Sequence, residues 1–210
     1  AKKYSISHFD SDTHLLSELL ISDKFNNDEL DGFYAFVRIS KNGEILNCSR
    51  DHFGVKPLYY FKRLNYITIS SEPSVIRKIF NLEISKSSIR EYKLFRAPIF
   101  SKSYFSGVKS VLPGHCLING KYFDSRESIN QEDNEPLLCD IKNSIIESIE
   151  QRYISDAPVG LLLSGGIDSN LIRHFGKASR YYSGGFEGDY DINFLKRAQK
   201  NIDQSKIHFS

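Results

Sequence analysis

The sequence contains neither methionine nor tryptophan, and it has only three cysteines in 210 residues. Cys48, Cys116 and Cys139 are odd in number and widely spaced, with no Cys-x-x-Cys pair and no histidine pair beside them. This argues against a disulfide framework and against a zinc site, and it favours a reducing compartment. No stretch approaches the roughly 18 apolar residues of a membrane span, and no signal peptide is visible. We therefore expect a soluble, cytoplasmic protein without a membrane partner.

An excess of charge of one sign is also missing. The 28 lysines and arginines nearly balance the 26 acidic residues, which gives a net charge of +2. A nucleic-acid-binding protein usually clusters its basic residues on one face, whereas the charges here are scattered in small mixed groups. We expect no nucleic-acid partner. Apolar residues make up 40% of the chain, enough for a packed interior.

The pattern of apolar residues changes along the chain. Up to residue 124, short apolar segments alternate with turn signals, which predicts antiparallel strands; helices are expected at residues 72–80 and 88–95. A Ser88…Glu91 capping box is expected to begin the second helix. The segment 33–39 is apolar at nearly every position, which predicts a strand buried on both faces.

A polar stretch at residues 125–135 predicts a linker between two domains. From residue 136 onward, helices and apolar strands alternate, which is typical of a parallel α/β sheet. We expect a buried strand at residues 159–163, a helix at residues 191–202 and a last strand at residues 206–209.

The most informative passage is VGLLLSGGIDS, residues 159–169. It predicts a strand that ends in Ser-Gly-Gly, followed by a helix that begins at or just after Asp168. Glycines allow a phosphate to approach closely, the N–H groups at a helix start point at it, and the helix dipole favours negative charge. Ser164 and Ser169 can add hydroxyl donors, and Asp168 can hold a nucleotide-bound Mg²⁺. The passage is not a Walker A loop, because it lacks the Gly-Lys-Ser/Thr ending.

A simpler interpretation of the same passage is a tight turn in which Ser and Asp only cap the helix. The string SGGIDS, however, resembles the pyrophosphate loop of the ATP-pyrophosphatase superfamily, and with residues 156–160 it resembles asparagine synthetases in particular. In the first half of the chain, RDHFGVKPLYY at residues 50–60 is similar to a passage of the asparagine synthetase glutaminase domain. DGFYAF at residues 31–36, Ser71-Glu72, LPGH at residues 112–115 and Gly185-Phe186-Glu187 resemble further landmarks of the family, in the right order.

This resemblance implies a fold and a set of ligands. Residues 1–124 are expected to be the C-terminal part of a four-layer αββα N-terminal-nucleophile domain, residues 125–135 the linker, and residues 136–210 the start of an adenine-nucleotide-binding α/β domain. The implied cofactors are ATP and Mg²⁺, with Asp168 as the metal ligand. Asp12 resembles the residue at the glutamine ammonium, although it can equally serve as the N-cap of the helix that follows it. The implied ATP-binding residues are Leu163, Ser164, Gly165, Gly166, Asp168, Ser169 and Gly184.

The function implied by the resemblance is glutamine-hydrolysing asparagine synthesis, in which a carboxylate is adenylated and then amidated. The implied partners are glutamine, aspartate and ATP, with a homodimer as a possible assembly of the full-length protein. Two alternatives stay open: an amidotransferase acting on another carboxylate, as in β-lactam-forming and polysaccharide-modifying relatives, and a non-catalytic remnant.

Catalytic residues are not assigned in this chain. The family's nucleophile is an N-terminal cysteine, whereas this sequence begins with alanine, and Cys48 lies inside a predicted strand. We expect the chain to be a fragment truncated at both ends and inactive by itself. His52, Lys56 and His115 are isolated residues in turns, for which a structural role is favoured. Arg50 and Asp51 are expected to form a local ion pair that shapes a loop.

Overall fold

The structure is a computed structural model of the 210-residue chain, and it describes residues 10–22, 27–100, 102–118, 120–121, 137–186, 188–189, 193 and 207–209. The chain divides into two compact units, residues 1–131 and residues 132–210. The predicted linker lies outside the described residues, as does the predicted helix at residues 191–202 apart from Asn193. None of the described helices is long and apolar enough to cross a membrane.

The first unit combines two antiparallel sheets with three α-helices among its described residues. The strand orders are β1-β2-β6-β7 and β4-β3-β5. The antiparallel strands and intervening helices predicted for this half of the sequence are confirmed. In chain order the elements are α1 Asp12–Ile21, a 3-10 helix Asn27–Glu29, β1 Ala35–Ile39, β2 Ile45–Arg50, β3 Tyr59–Arg63, β4 Tyr66–Ser70, α2 Pro73–Phe80, α3 Lys86–Phe95, β5 Lys109–Ser110, β6 His115–Cys116 and β7 Gly120–Lys121.

The core of this unit forms where β2 meets the loops that precede and follow the second sheet. Cys48, Leu58 and Val111 are buried against one another, and half-buried side chains of β1, including Val37, pack onto them. The β1–β2 hairpin turns at Gly43, whose φ of +85° is one that glycine adopts without strain.

Two predictions for the first unit were wrong. The segment 33–39 becomes a strand only from Ala35, and it is not buried on both faces, because Phe33 and Ile39 are 50% and 60% exposed. Helix α3 begins at Lys86 rather than Ser88, with Ser85 as its N-cap accepting a hydrogen bond from the Ser88 N–H. The Ser88 hydroxyl instead donates to the Ser103 carbonyl at 2.7 Å in a buried position, so tertiary packing decided between two serines of similar local pattern.

The second unit contains a parallel sheet, as predicted. Strand β9 pairs in parallel with both β8 and β10, in the order β10-β9-β8. The expectation that residues 159–163 are buried throughout was wrong, since Leu162 is 81% exposed while Leu163 is 3% exposed. One face of this strand is thus uncovered in the described part of the chain. The elements are α4 Leu138–Gln151, β8 Gly160–Leu162, α5 Ile167–Phe175, β9 Arg180–Ser183 and β10 Ile207–Phe209.

Candidate functional site

The connection between β8 and α5, residues 163–169 with the first turn of the helix included, is called the β8–α5 loop below. Hydrogen bonds of its own two serines, Ser164 and Ser169, hold this loop in a compact conformation. The Ser169 hydroxyl lies 3.0 Å from the Ser164 hydroxyl and 3.0 Å from the Ser164 carbonyl, and it accepts the Ser164 N–H at 3.2 Å. The Ser164 hydroxyl also accepts the Gly166 N–H at 3.2 Å. These contacts hold the strand end and the helix start together as one compact turn.

Asn170 is a member of this network that the sequence analysis missed. Its side-chain amide donates to the Gly166 carbonyl at 2.9 Å and to the Ser164 carbonyl at 3.3 Å. Its position directly after SGGIDS was the available signal, because an amide one residue into the helix can reach back to the carbonyls of the preceding turn. Asn170 therefore helps to fix the loop.

Several backbone donors of the β8–α5 loop have no acceptor among the described residues. The first hydrogen bond of α5 runs from Asn170 N–H to Gly166 at 3.3 Å, so the N–H groups of Ile167, Asp168 and Ser169 precede the helical ladder. Within the described part of the chain these groups and the Gly165 N–H have no acceptor. Successive free N–H groups at a helix start are suited to bind an anion such as a phosphate.

The helix start is not capped by a side chain, so the capping role that the simpler interpretation gave to Ser and Asp is not observed. The N-cap of α5 is Gly166, in an extended conformation and with no side-chain capping bond. A Cβ at Gly166 would lie 3.3 Å from the Ser164 hydroxyl oxygen, so a larger residue would press on a serine that holds the loop together. The glycines and the N–H groups without an acceptor in this loop are therefore suited to an anion such as a phosphate group.

Asp168 lies in the first turn of α5 and is exposed. No group of three or more His, Cys, Asp or Glu side chains that could hold a metal occurs among the described residues. Mg²⁺ is commonly bound by one or two carboxylates together with the phosphates of a nucleotide, so a single exposed carboxylate beside a phosphate loop fits it. Leu163 donates its N–H to the Tyr182 carbonyl at 2.8 Å and continues the sheet ladder. Only its carbonyl is left for a ligand.

Gly184 follows β9 directly and is exposed. Because Leu162 pairs with Tyr182 in the parallel register, the chain after β9 leaves the sheet at the same edge as the β8–α5 loop. The structure thus brings Gly184 to the same end of the sheet as residues 163–169. Asp12, by contrast, belongs to the first unit.

Asp12 is the first residue of α1 and is exposed. The capping role expected for it falls to Ser11, whose side chain accepts the His14 N–H at 3.2 Å. Asp12 instead lines a cleft of about 500 Å³, called the Asp12 cavity below, in the size range of small-molecule sites. The cavity joins three of the sequence passages singled out above. Its lining residues are Asp12, Thr13, Leu16, Phe33, Tyr34, Ala35, Phe36, Lys56, Pro57 and Ser71.

The loop after β2 contributes Lys56 and Pro57 to this cavity, and two other charged side chains of the loop are buried or half-buried. Asp51 is 1% exposed and accepts the N–H groups of Phe53, Val55 and Lys56 at 3.2, 2.9 and 2.9 Å. Arg50 donates to the carbonyls of Gly54, Lys56 and Val111 and to the Ser110 hydroxyl at 2.6 to 2.8 Å. Both side chains thus shape the loop through contacts with its backbone.

The cysteines offer no nucleophile to either site. Cys48 is fully buried in β2, and burial, together with the nearby Cys116, raises its pKa to about 11. A thiol with so high a pKa is almost entirely protonated at neutral pH and is a poor nucleophile. Cys116 is buried as well, and its thiol lies 3.4 Å from the Asn47 amide oxygen. Cys139 is exposed in the first turn of α4.

Comparison with known proteins gives the class of each unit. Residues 5–128 match the model of the glutamine amidotransferase domain, and residues 140–209 match the model of asparagine synthase. The chain is 32% identical over 204 residues to asparagine synthetase [glutamine-hydrolyzing] 1 of Bacillus subtilis, covering 89% of this chain and 32% of that protein. A putative asparagine synthetase [glutamine-hydrolyzing] 1 of Methanocaldococcus jannaschii is 29% identical over 207 residues, covering 92% of this chain and 36% of that protein.

Another relative carries a different name. Amidase chyE of Penicillium rubens is 29% identical over 156 residues, covering 68% of this chain and 23% of that protein. The chain spans about a third of the length of the two matched asparagine synthetases. From the two matched domain models and these relatives, the chain belongs to the family of glutamine-hydrolysing asparagine synthetases.

Proposed function

We propose that the chain is part of an enzyme that transfers the amide nitrogen of glutamine to the side-chain carboxylate of aspartate, with ATP as the energy source and asparagine as the product. Residues 1–124 would form part of a four-layer N-terminal-nucleophile glutaminase domain, residues 125–135 the linker, and residues 136–210 part of the ATP-binding domain. The observation that carries this proposal is the β8–α5 loop, where unpaired N–H groups, glycines and the Asp168 carboxylate meet at one helix start.

A carboxylate does not react with ammonia until one of its oxygens becomes a good leaving group. Adenylation supplies that group, and it requires the phosphates of ATP to be held in a fixed place while charge shifts between them. The N–H groups of residues 165 and 167–169 are suited to hold those oxygens, and the serines behind them are committed to the loop backbone. A Mg²⁺ bound with the nucleotide supplies charge neutralisation, and Asp168 is the residue that would hold it.

Glutamine is proposed to bind in the first unit, with Asp12 accepting the α-ammonium group. Asp12 has no hydrogen bond or ion pair among the described residues, and it lines a cavity of suitable size. The second candidate function is an amidotransferase that acts on a carboxylate other than that of aspartate. It is supported by the relative named an amidase, which is 29% identical to this chain over 156 residues.

The test separates the two chemistries in the full-length parent protein. Asp168→Asn is expected to lower ATP–pyrophosphate exchange in the presence of aspartate by on the order of 10²-fold or more, while leaving ammonia release from glutamine nearly unchanged. Asp12→Asn is expected to do the reverse. The matched control is Asp140→Asn, which removes an exposed aspartate from the first turn of α4, where no glycine loop precedes the helix.

Unchanged exchange in Asp168→Asn would remove this residue from the site. An equal loss in both assays would mean that the substitution damages folding rather than nucleotide binding. Exchange that depends on another carboxylate instead of aspartate would favour the second candidate.

A further inference from the structure

One segment of the first unit departs from the even scatter of charge expected from the sequence. Residues 77–109 contain eight lysines and arginines but only two glutamates, a net charge of +6, whereas the whole chain carries +2. Helix α3, Lys86–Phe95, lies inside this segment. Its basic residues are therefore not balanced by acidic residues nearby in the sequence.

Three of these basic residues form a stripe along α3, called the α3 basic face below. Lys86, Arg90 and Lys93 stand at i, i+4 and i+7, so they lie on the same side of the helix. All three are exposed, and none of them makes a hydrogen bond or an ion pair within the described part of the chain. Ser88, on the opposite side of the helix, is fully buried. The α3 basic face is thus the side that the helix turns to solvent.

The glutamate of the same helix is directed at the loop that follows it. The Glu91 carboxylate accepts the Phe100 N–H at 2.8 Å, and the Phe100 ring lies against Phe95 with the ring centroids 6.0 Å apart. Phe100 is nonetheless 73% exposed, and Leu94, one turn after Arg90, is 76% exposed. The α3 basic face therefore has uncovered apolar side chains beside its C-terminal end.

Cations beside exposed apolar side chains discriminate between kinds of anionic partner. A nucleic-acid backbone neutralises cations, but its phosphates do not cover Leu94 and Phe100. A helix that lies on a membrane buries its apolar side in the lipid, whereas α3 has cations along its exposed side and packs its opposite side into the protein. An acidic amphipathic helix meets both requirements, because its carboxylates can follow the spacing of the cations while neighbouring apolar side chains cover the rest.

From this complementarity we propose that the α3 basic face binds an acidic amphipathic helix of a partner protein, whose apolar side chains cover Leu94 and Phe100. The contact is small, because the 10 residues of α3 extend over only about 15 Å. A small contact with many exposed charges is typical of a transient, salt-sensitive interface. The inference is independent of the proposed function, since it uses no residue of the Asp12 cavity or of the β8–α5 loop.

The test measures the binding of labelled peptides to the full-length parent protein by fluorescence anisotropy. The patterned peptide is an alanine-rich helix of about 18 residues, with glutamates at i, i+4, i+7 and i+11 and leucines beside them. The scrambled peptide has the same composition, with the glutamates distributed around the helix. We expect the patterned peptide to bind at least about tenfold more tightly, and its binding to weaken at least about tenfold between about 50 and about 500 mM NaCl.

Two sets of substitutions separate the charged from the apolar part of the contact. The triple variant Lys86→Gln, Arg90→Gln and Lys93→Gln is expected to weaken the patterned peptide by about tenfold, since three exposed ion pairs are lost. Leu94→Ser is expected to weaken it by about threefold at both salt concentrations, because the loss of apolar contact is not screened. Circular dichroism of each variant is expected to be unchanged, as all four positions are exposed.

The matched control removes the same charge from exposed positions outside α3: Lys41→Gln, Lys62→Gln and Lys142→Gln together. It is expected to change peptide binding by less than about twofold. An equal loss in the control would overturn the inference, because net charge alone would then explain binding. Equal affinity for the patterned and scrambled peptides would also overturn it. Tighter binding to phosphatidylglycerol vesicles or to single-stranded poly(U) RNA, abolished in the α3 triple variant, would replace the partner helix by a membrane or a nucleic acid.

Discussion

Replacement of Asp51 is the sharpest test of how the loop after β2 is held. This carboxylate is 1% exposed and accepts three backbone N–H groups, from Phe53, Val55 and Lys56. Asp51→Ala leaves all three donors without their acceptor. Each hydrogen bond to a charged group contributes about 1.5–3 kcal/mol. Since the three donor residues are partly or largely exposed, water can replace some of the loss, and we use the lower limit.

At the lower limit for three hydrogen bonds, the expected cost of Asp51→Ala is about 4.5 kcal/mol in the free energy of unfolding of the first unit. Asp51→Asn should cost less, about 2 kcal/mol, for a geometric reason. With its oxygen in the Oδ1 position, asparagine keeps the acceptor for Phe53 and Val55, but it places an NH₂ group opposite the Lys56 N–H. The control is Glu44→Gln, an exposed position in the β1–β2 hairpin, where a change within about 0.5 kcal/mol is expected.

The assay is urea unfolding followed by circular dichroism, combined with hydrogen exchange of a peptide that covers residues 51–58. Exchange reports the loop locally, so it separates loosening of this turn from loss of stability elsewhere. The expected order of destabilisation is Ala, then Asn, then the Glu44 control. If Asp51→Ala costs less than about 1 kcal/mol and does not speed exchange in residues 51–58, the buried carboxylate is not what organises the loop.

Two further predictions follow from burial and backbone geometry. Thiol alkylation of the native chain at pH 8 should label Cys139 first. With a pKa of about 11, only about 10⁻³ of the Cys48 thiol is ionised at that pH. If mass spectrometry finds Cys48 labelled as fast as Cys139, the burial of Cys48 is contradicted. Gly54→Ala should destabilise the chain by about 2 kcal/mol more than Gly43→Ala. Both glycines have a positive φ, but only a Cβ at Gly54 would meet other atoms, Pro113 Cγ at 2.7 Å and Arg50 Cζ at 3.1 Å. Equal melting temperatures of the two variants would refute this clash.

The strands and turns were the most predictable part of the fold. Strand β4, at residues 66–70, lies in the part of the chain where short apolar segments between turn signals predicted antiparallel strands, because β-branched and aromatic residues in such segments favour strands. Burial was predicted less well, since an apolar sequence shows that a strand can be buried but not that the chain provides a cover. Phe33 and Leu162 illustrate the difference, with half or more of each side chain exposed.

The predicted start of helix α3 was wrong for a related reason. The Ser88…Glu91 pair satisfied the local pattern of a capping box, but Ser85 three residues earlier also had a hydroxyl that could cap. The choice between them depended on residues distant in sequence: the Ser88 hydroxyl is taken by the Ser103 carbonyl, and Glu91 accepts the Phe100 N–H at 2.8 Å. A pattern of residue types cannot show such a partner, because it comes from the fold.

For the two candidate sites, the sequence predicted which segments carry the site residues better than it predicted the contacts that each side chain makes. The backbone contacts of Arg50 and Asp51 and the anchoring of Lys56 were not visible in the motif RDHFGVKPLYY. Both depend on which backbone groups the turn at Gly54, with its φ of +67°, brings within reach of the two side chains. A motif lists side chains, whereas these interactions are made with backbone.

In the β8–α5 loop, too, the side chains bond to the loop itself, while backbone N–H groups stay available for a ligand. Ser164 and Ser169 were expected to donate hydrogen bonds from their hydroxyl groups to a phosphate, yet both hydroxyls make hydrogen bonds within the loop. A ligand that recruited them would first have to break these contacts, whereas the N–H groups of residues 165 and 167–169 are already free of acceptors among the described residues. Donors that need no rearrangement bind an anion at lower cost than donors that must be released first. The serines therefore serve an anion best indirectly, by keeping the backbone donors in the shape that receives it.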